Sequence, residues 1–249
     1  MANLLTFLGI LQMEREDHDS ALVSLEEAFQ LSESLGNKLL ISITTGCIGS
    51  IYQQKGDFKV AMDNFDKDLK ICLELGDKQG IAIAHGLVGE LQAIMGEFDK
   101  ARRHLKKSSK ISKAIGYQKG FAKAENNMGD IYFAQKRFNK AEKKYKKAVT
   151  VSRAMNNKLV LSESLLELGQ TMLELGKLKK AQKLYNEASQ IGQELGNEDI
   201  LFELRLFLAR IEVAQGNTEK AIKELYQMKS EYMAPVSYTH LTLPTTPYV

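Results

Sequence analysis

Proline is missing from the first 234 residues of this 249-residue chain; all three prolines fall at or beyond Pro235. A proline inside a helix removes a hydrogen bond and clashes with the preceding turn, so this gap leaves room for nearly continuous helix. Only two cysteines occur, Cys47 and Cys72, far apart and without C-x-x-C spacing. That argues against a disulfide framework and a structural zinc site, and it points to a reducing cytosol. No apolar run reaches the roughly 18 residues that a membrane span needs. The four histidines (His18, His85, His104 and His240) are scattered, and no cysteine or serine partner motif accompanies them. No Gly-rich phosphate loop follows a strand, because no strand pattern is evident. His85 therefore reads as a buried or half-buried structural histidine and the two cysteines as small core hydrophobes. The reading is of a non-enzyme with no cofactor and no metal. A net charge of only +3 does not demand nucleic acid or an acidic membrane.

What is present is ordinary globular composition, 44% apolar and 26% charged, arranged with a strict period. Aligned in rows of 40 residues, one column reads Gly9, Gly49, Gly89, Gly129, Gly169, Ala209. Twelve positions on, the column is Ala21, Ala61, Ala101, Ala141, Ala181, Ala221; four further, it is Leu25, Phe65, Leu105, Tyr145, Tyr185, Leu225. Two antiparallel helices approach closely only where one side chain at the crossing is absent or a methyl, and a bulky neighbour fills the space beside it. Turn columns complete the unit. Gly56, Gly96, Gly176 and Gly216 fall within units, and Gly36, Gly76, Gly116, Asn156 and Gly196 between them, as left-handed helix caps do. Lys136 breaks the first turn column, at about 1 kcal/mol if it keeps the same geometry; a slightly different turn is expected there. The pattern predicts first helices near 2–15, 39–55, 79–95, 119–135, 159–175 and 199–215. Second helices are predicted near 18–35, 58–75, 98–115, 138–155, 178–195 and 218–231.

Asn127-Met-Gly-Asp-Ile-Tyr132, Gly56-Asp-Phe58 and Ala141-Glu-Lys-Lys-Tyr145 carry a family resemblance. The columns resemble the tetratricopeptide repeat, which usually runs 34 residues. This chain departs from it in having no Trp in the early helix column, no Pro closing the second helix and six extra residues per unit. Units ending Leu35-Gly-Asn37, Leu75-Gly-Asp77 and Leu195-Gly-Asn197 look like the 40-residue arrays of G-protein-signalling modulators. Similar arrays occur in bacterial regulators that bind signalling peptides or carry fused kinase, ATPase or cyclase domains. The resemblance implies an all-α fold, an α-solenoid of about six antiparallel helical hairpins wound as a right-handed superhelix. Repeats are expected near 2–41, 42–81, 82–121, 122–161, 162–201 and 202–234. It also implies that first helices line a concave groove that binds a peptide or partner protein.

Both ends depart from a natural array. The run Val236-Ser-Tyr-Thr-His-Leu-Thr-Leu-Pro-Thr245 looks like the translation of a transposase sequencing adapter, with every codon fitting; a natural Thr/Pro-rich tail is the alternative. Residues 235–249 are expected to be a non-native or disordered tail and are excluded from fold reasoning. At the other end, Leu4, Leu5, Phe7, Leu8, Ile10 and Leu11 make the first helix apolar nearly all round, as helices with neighbours on both sides are. The start lacks a basic region and a small-residue cleavage site, so it reads as a repeat helix and not as a secretion signal. Further repeats or domains are expected to be missing at one or both ends.

Two surfaces are candidates for binding. In tetratricopeptide geometry the groove would include Glu90, Lys123, Asn126, Asn127, Asp130, Phe133, Glu163, Leu166, Glu167 and Gln170. Asn amides offer donor and acceptor to a peptide backbone, and Glu163 with Glu167 favours a basic ligand. Glu and Gly occupy several places where the clamp for chaperone C-termini needs Lys, Arg and Asn, so that ligand is not expected. The second surface is basic: residues 100–147 hold 16 Lys or Arg against three acids. Arg102, Arg103, Lys106, Lys107, Lys110 and Lys113, then Lys140, Lys143, Lys144 and Lys147, avoid the apolar face of their helices and should form a convex patch. A solvated face explains it most simply; an acidic protein, an anionic surface or nucleic acid is the functional alternative. No aromatics interleave the lysines, which counts against single-stranded nucleic acid. The leading function is a non-catalytic binding scaffold in the cytoplasm. The rival is the regulatory arm of a larger cyclase, kinase or ATPase.

Overall fold

The computed structural model describes residues 1–233; His240 and the expected adapter-derived tail lie outside the described residues. Those residues form twelve helices in six hairpins, with no strand among them. The first helices are α1 (Ala2–Glu14), α3 (Lys38–Gln54), α5 (Lys78–Ile94), α7 (Gln118–Ala134), α9 (Lys158–Glu174) and α11 (Glu198–Ala214). Their partners are α2 (His18–Ser34), α4 (Phe58–Leu75), α6 (Phe98–Ala114), α8 (Phe138–Ala154), α10 (Leu178–Leu195) and α12 (Thr218–Met233). Every limit falls within two residues of the periodic reading.

Each turn is closed locally. After α3, Gly56 takes φ +81° and the Asp57 amide donates to the Tyr52 carbonyl at 2.9 Å, the six-residue closure of a left-handed helix end. Asp57 then caps α4 by accepting from the Val60 amide. Lys136 does not use a different turn. It adopts φ +56°, and Arg137 closes on Tyr132 at 2.8 Å as Asp57 does on Tyr52. Glu16, at φ +60° in the first hairpin, is a second non-glycine in that column, one the sequence reading passes over.

Between the two helices of a hairpin the crossing is as tight as the columns require. A Cβ on Gly49 would stand 2.7 Å from the Phe65 ring, one on Gly89 2.8 Å from Leu105, and one on Gly129 2.5 Å from the Tyr145 ring. Phe65, Leu105 and Tyr145 are fully buried as a result. The fifth hairpin differs. The ring over Gly169 belongs to Phe207 of the next hairpin, at 2.7 Å, and Tyr185 is only half-buried beside it. Leu225 in the sixth hairpin is 42% exposed. The bulky column thus does one job in the first four hairpins and another at the end.

Successive hairpins are joined by small apolar clusters, such as Ala61 and Phe65 of α4 against Val88 and Leu91 of α5. Each first helix also packs against the first helix of the next hairpin, whereas the second helices are linked only at their tips, as where Lys67 of α4 reaches Glu33 and the Phe29 ring of α2 and Arg153 of α8 pairs with Glu187 of α10. The first helices therefore line the inner, concave side of an α-solenoid, and the second helices splay on the outside. On α1, Leu4, Phe7, Leu8 and Leu11 are exposed.

Two substitutions test these crossings and turns. Gly129→Ala forces a methyl into the Tyr145 ring and is expected to lower stability by about 1–3 kcal/mol. Lys136→Gly relieves a left-handed side chain and is expected to raise it by about 1 kcal/mol. Guanidinium unfolding midpoints measure both. A neutral Gly129→Ala would mean that the crossing is looser than its geometry.

Candidate binding groove

The polar side chains of the concave face are first of all tied to one another. Glu90 on α5 accepts from Gln53 of α3 (3.3 Å) through Oε1 and from Asn127 of α7 (3.0 Å) through Oε2, where Lys123 also pairs at 3.1 Å. Asn126 donates to the Ser164 hydroxyl of α9 at 2.8 Å, and its Oδ1 is buried without a partner. Gln170 accepts from Arg210 of α11 at 3.0 Å, and Arg210 also pairs with Glu174. The amide donors of Asn126 and Asn127, expected to be free for a peptide backbone, are spent on holding neighbouring units in register.

Acid is what this floor has left to offer. Tyr145, buried under Gly129, donates its phenol proton to Asp130 at 2.7 Å. Asp130 opens onto the groove, but the concave walls surround its carboxyl with protein. That desolvation pushes its pKa up to about 6, against the lowering effect of the Tyr145 bond and with the Glu90 charge adding to it. Glu167 is pushed up to about 7, by desolvation first and then by the charges of Asp130 and Glu203; Arg210 pulls the other way. Glu163 is raised as well, mainly by desolvation, with Lys123 and Lys119 opposing. Burial, followed by the Asp130 and Glu167 charges, holds the Tyr145 phenol protonated. Four carboxylates from α5, α7 and α9 thus share one electrostatic field with few cations. The groove opens into a cavity of about 200 Å³ lined by Glu90, Asn127, Asp130 and Ile94, among others.

Other expected positions fall elsewhere. Phe133 is half-buried, its ring set edge-on to Phe138 at 5.3 Å and packed on the cluster between the fourth and fifth hairpins. Leu166 is buried in that same cluster. On the convex side Arg103, Lys106, Lys107, Lys110, Lys113, Lys140 and Lys143 are exposed as expected. Lys144 is not: it turns inward to the buried Glu125 at 3.1 Å, and Lys147 reaches the same oxygen at 3.6 Å. Arg102 is drawn down onto Asp99 and lies over the Tyr132 ring. The patch is therefore narrower than the residue count suggests, because Lys144, Lys147 and Arg102 are drawn to acids of their own hairpin.

His85 is buried, as its column implied, but it has a partner that the sequence reading missed. Its Nδ1 stands 3.2 Å from Nδ1 of His104, so one ring donates and the other accepts. Burial, with the neighbouring His104 and Lys107 charges, lowers the His85 pKa to about 4, which keeps the pair neutral. Among the described residues no three His, Cys, Asp or Glu side chains converge as a metal-binding group, and no helix is long and apolar enough to cross a membrane.

Comparison with known proteins places this geometry. Residues 81–241 match the family model of the MalT-like TPR region, and residues 40–114 match the tetratricopeptide repeat. No curated protein sequence matches the chain. Among solved structures it is similar to BtubC from P. vanneervenii, at 19% identity and TM-score 0.72, covering 92% of this chain and 96% of that one. It is similar to the Rap conjugation gene regulator of plasmid pLS20 in complex with the Phr* peptide, at 15% identity and TM-score 0.78, covering 92% and 62%. It is also similar to a signal transduction ATPase with a tetratricopeptide repeat sensor from Pyrococcus horikoshii, at 19% identity and TM-score 0.68, covering 93% and 36%. The chain thus spans less than two thirds of the last two. At these identities the likeness is one of fold. Six hairpins on a 40-residue period, five of them with glycine at the crossing, and a family match over most of the chain lead to one assignment: this protein belongs to the MalT-like TPR region family of tetratricopeptide repeat proteins.

Proposed function

We propose that the array is a non-catalytic scaffold whose concave groove receives a basic peptide or helix across its third to fifth hairpins. One observation carries this reading. Glu90, Asp130, Glu163 and Glu167 share the groove floor, and the desolvated Asp130 and Glu167 have pKa values raised to about 6 and 7. Of the cations near them, Lys123 and Arg210 are already paired with Glu90 and Glu174, and Lys119 acts on Glu163 only at a distance. A Lys or Arg side chain from a ligand would bring the missing charge. The Rap regulator, solved with a peptide, supports a peptide-sized occupant for this fold. The sensor array of the P. horikoshii ATPase supports a second reading, in which the array is the regulatory arm of a larger signalling enzyme. An in-frame ATPase, kinase or cyclase domain in the neighbouring genomic sequence would establish it. The exposed convex lysines are read as a solvated face of a protein acting in the cytoplasm.

Selection of a random peptide library on the purified array is expected to enrich Lys- or Arg-containing sequences. The double variant Asp130→Asn, Glu167→Gln should bind the enriched peptide at least about tenfold more weakly. Enrichment of acidic or uncharged peptides, or undiminished binding by the variant, overturns the proposal.

Ionisation sets a second test. A carboxyl whose folded pKa lies above its ordinary value stabilises the fold below that ordinary value, and this contribution is lost as pH rises through the folded pKa. For Asp130 and Glu167 the loss falls between about pH 4 and 7. A cationic ligand needs the charged form, so its affinity is expected to rise over the upper part of that window. Calorimetric titrations at pH 5.5 and 7.5 should show tighter binding at the higher pH, with proton release on binding near pH 6.5.

A further inference from the structure

The repeat columns are broken toward negative charge twice in one place. The column Ala28, Ser108, Ala148, Ala188 carries aspartate only at Asp68, and the cap column Asn37, Tyr117, Asn157, Asn197 carries it only at Asp77. Neither position needs that charge for the fold. Ala and Ser pack the first site in four other units, and Asn caps a helix as well as Asp does. Yet both carboxylates line one cavity of about 460 Å³ on the concave side between α3 and α5.

Asp68 is only 5% exposed, and no ion pair among the described residues includes it. Its Oδ1 accepts from the Ser42 hydroxyl and, at 3.3 Å, from the Cys72 thiol. Its Oδ2 stands 3.2 Å from where a Cβ on Gly46 would be, so the absent side chain of Gly46 is what uncovers it. Leu39, Ile43, Ile83 and Leu87 supply apolar walls. Burial pushes the pKa of both Cys47 and Cys72 up to about 11, with the Asp68 charge in the same direction, so the cavity contains thiols and not thiolates. One hairpin further on, Ser108 donates to the Ala82 carbonyl and Tyr117 replaces Asp77. The equivalent cavity there shrinks to about 200 Å³ and is lined by Lys119 and Lys123. A buried acid with no cation is destabilising, and here packing supplies no reason for it.

We propose that this cavity binds a primary alkylammonium group of the kind a lysine side chain carries. The methylenes would lie along the Ile43 and Ile83 walls, with the ammonium donating to Asp68 Oδ2 and to Asp77. A single uncovered oxygen on Asp68 suits a compact ammonium better than a guanidinium, whose fork is made for two-oxygen pairing. The site lies one to two hairpins from Asp130 and Glu167 and does not depend on them.

The test uses N-acetyl-lysine methylamide, with the norleucine analogue as the uncharged control, titrated into the full chain and followed by amide chemical shifts. Saturable shifts are expected at Gly46, Gly80 and Ile83, with the norleucine analogue at least tenfold weaker. Asp68→Asn should abolish the preference for lysine and raise the melting temperature, because it removes a buried charge. Gly46→Ala, which keeps both carboxylates and covers Oδ2, should also weaken binding and decides the matter if Asp68→Asn does not fold. Asp130→Asn with Glu167→Gln should leave these shifts intact, which separates this site from the groove floor. Equal binding of the norleucine analogue, shifts confined to the Glu90–Glu167 floor, or undiminished binding by Gly46→Ala would overturn the proposal.

Discussion

The close crossing between the two helices of each hairpin is the constraint on which the rest of the molecule depends. With glycine on one side and an aromatic or leucine side chain on the other, the backbones of the first four hairpins come near enough to give them nearly the same thickness. A common thickness lets hairpins stack with one recurring offset, and a recurring offset brings the first helices together and splays the second helices, which meet only through side chains. The concave face exists because this crossing repeats. The fifth hairpin shows how much latitude it has: Phe207 from the neighbouring unit can fill the space over Gly169, and the stack continues.

Against that regular frame the functional candidates stand out as irregularities. A core that could be Ala at every unit has Asp68 in one of them, and a groove floor that could be neutral collects Asp130, Glu163 and Glu167. Buried or crowded carboxylates oppose folding near neutral pH. Repeat arrays tolerate such local penalties because their stability is shared among nearest-neighbour interfaces, so one weak unit is held by the two beside it.

The hairpins were legible in the sequence because their determinants are single-residue columns: a missing side chain at Gly49 or Gly129, a left-handed cap at Gly56, a ring at Tyr145. Each acts over short range within one unit, and a 40-residue alignment exposes it. The ties across the groove were not legible in the same way, because they depend on how one unit is offset from the next. They do leave a trace. Asp19–Lys55 and Glu174–Arg210 are each 36 residues apart, and Glu90–Asn127 is 37. Helical side chains lean toward their own N-terminus, so partners on neighbouring units meet about one turn short of the full period. Pairing opposite charges at that separation, instead of at 40, would have found them. Within a hairpin the separation is 19: His85–His104, Glu125–Lys144 and Arg205–Glu224 occupy the same two columns in rows three, four and six, and pairing those columns would have found them.

The separation of the outer helices has a mechanical consequence. Only the inner helices come backbone-close to their counterparts in the next unit; on the outer surface extension would break exposed side-chain contacts such as Lys67–Glu33 and Arg153–Glu187. Pulled from its ends, the molecule can open like a spring about the apolar clusters that join each second helix to the next first helix, with the Glu90–Asn127 and Asn126–Ser164 bonds as stitches along the inner edge. A ligand laid across those stitches would change the stiffness of the spring as well as occupy its bore, and tension on the chain would be felt at the ligand.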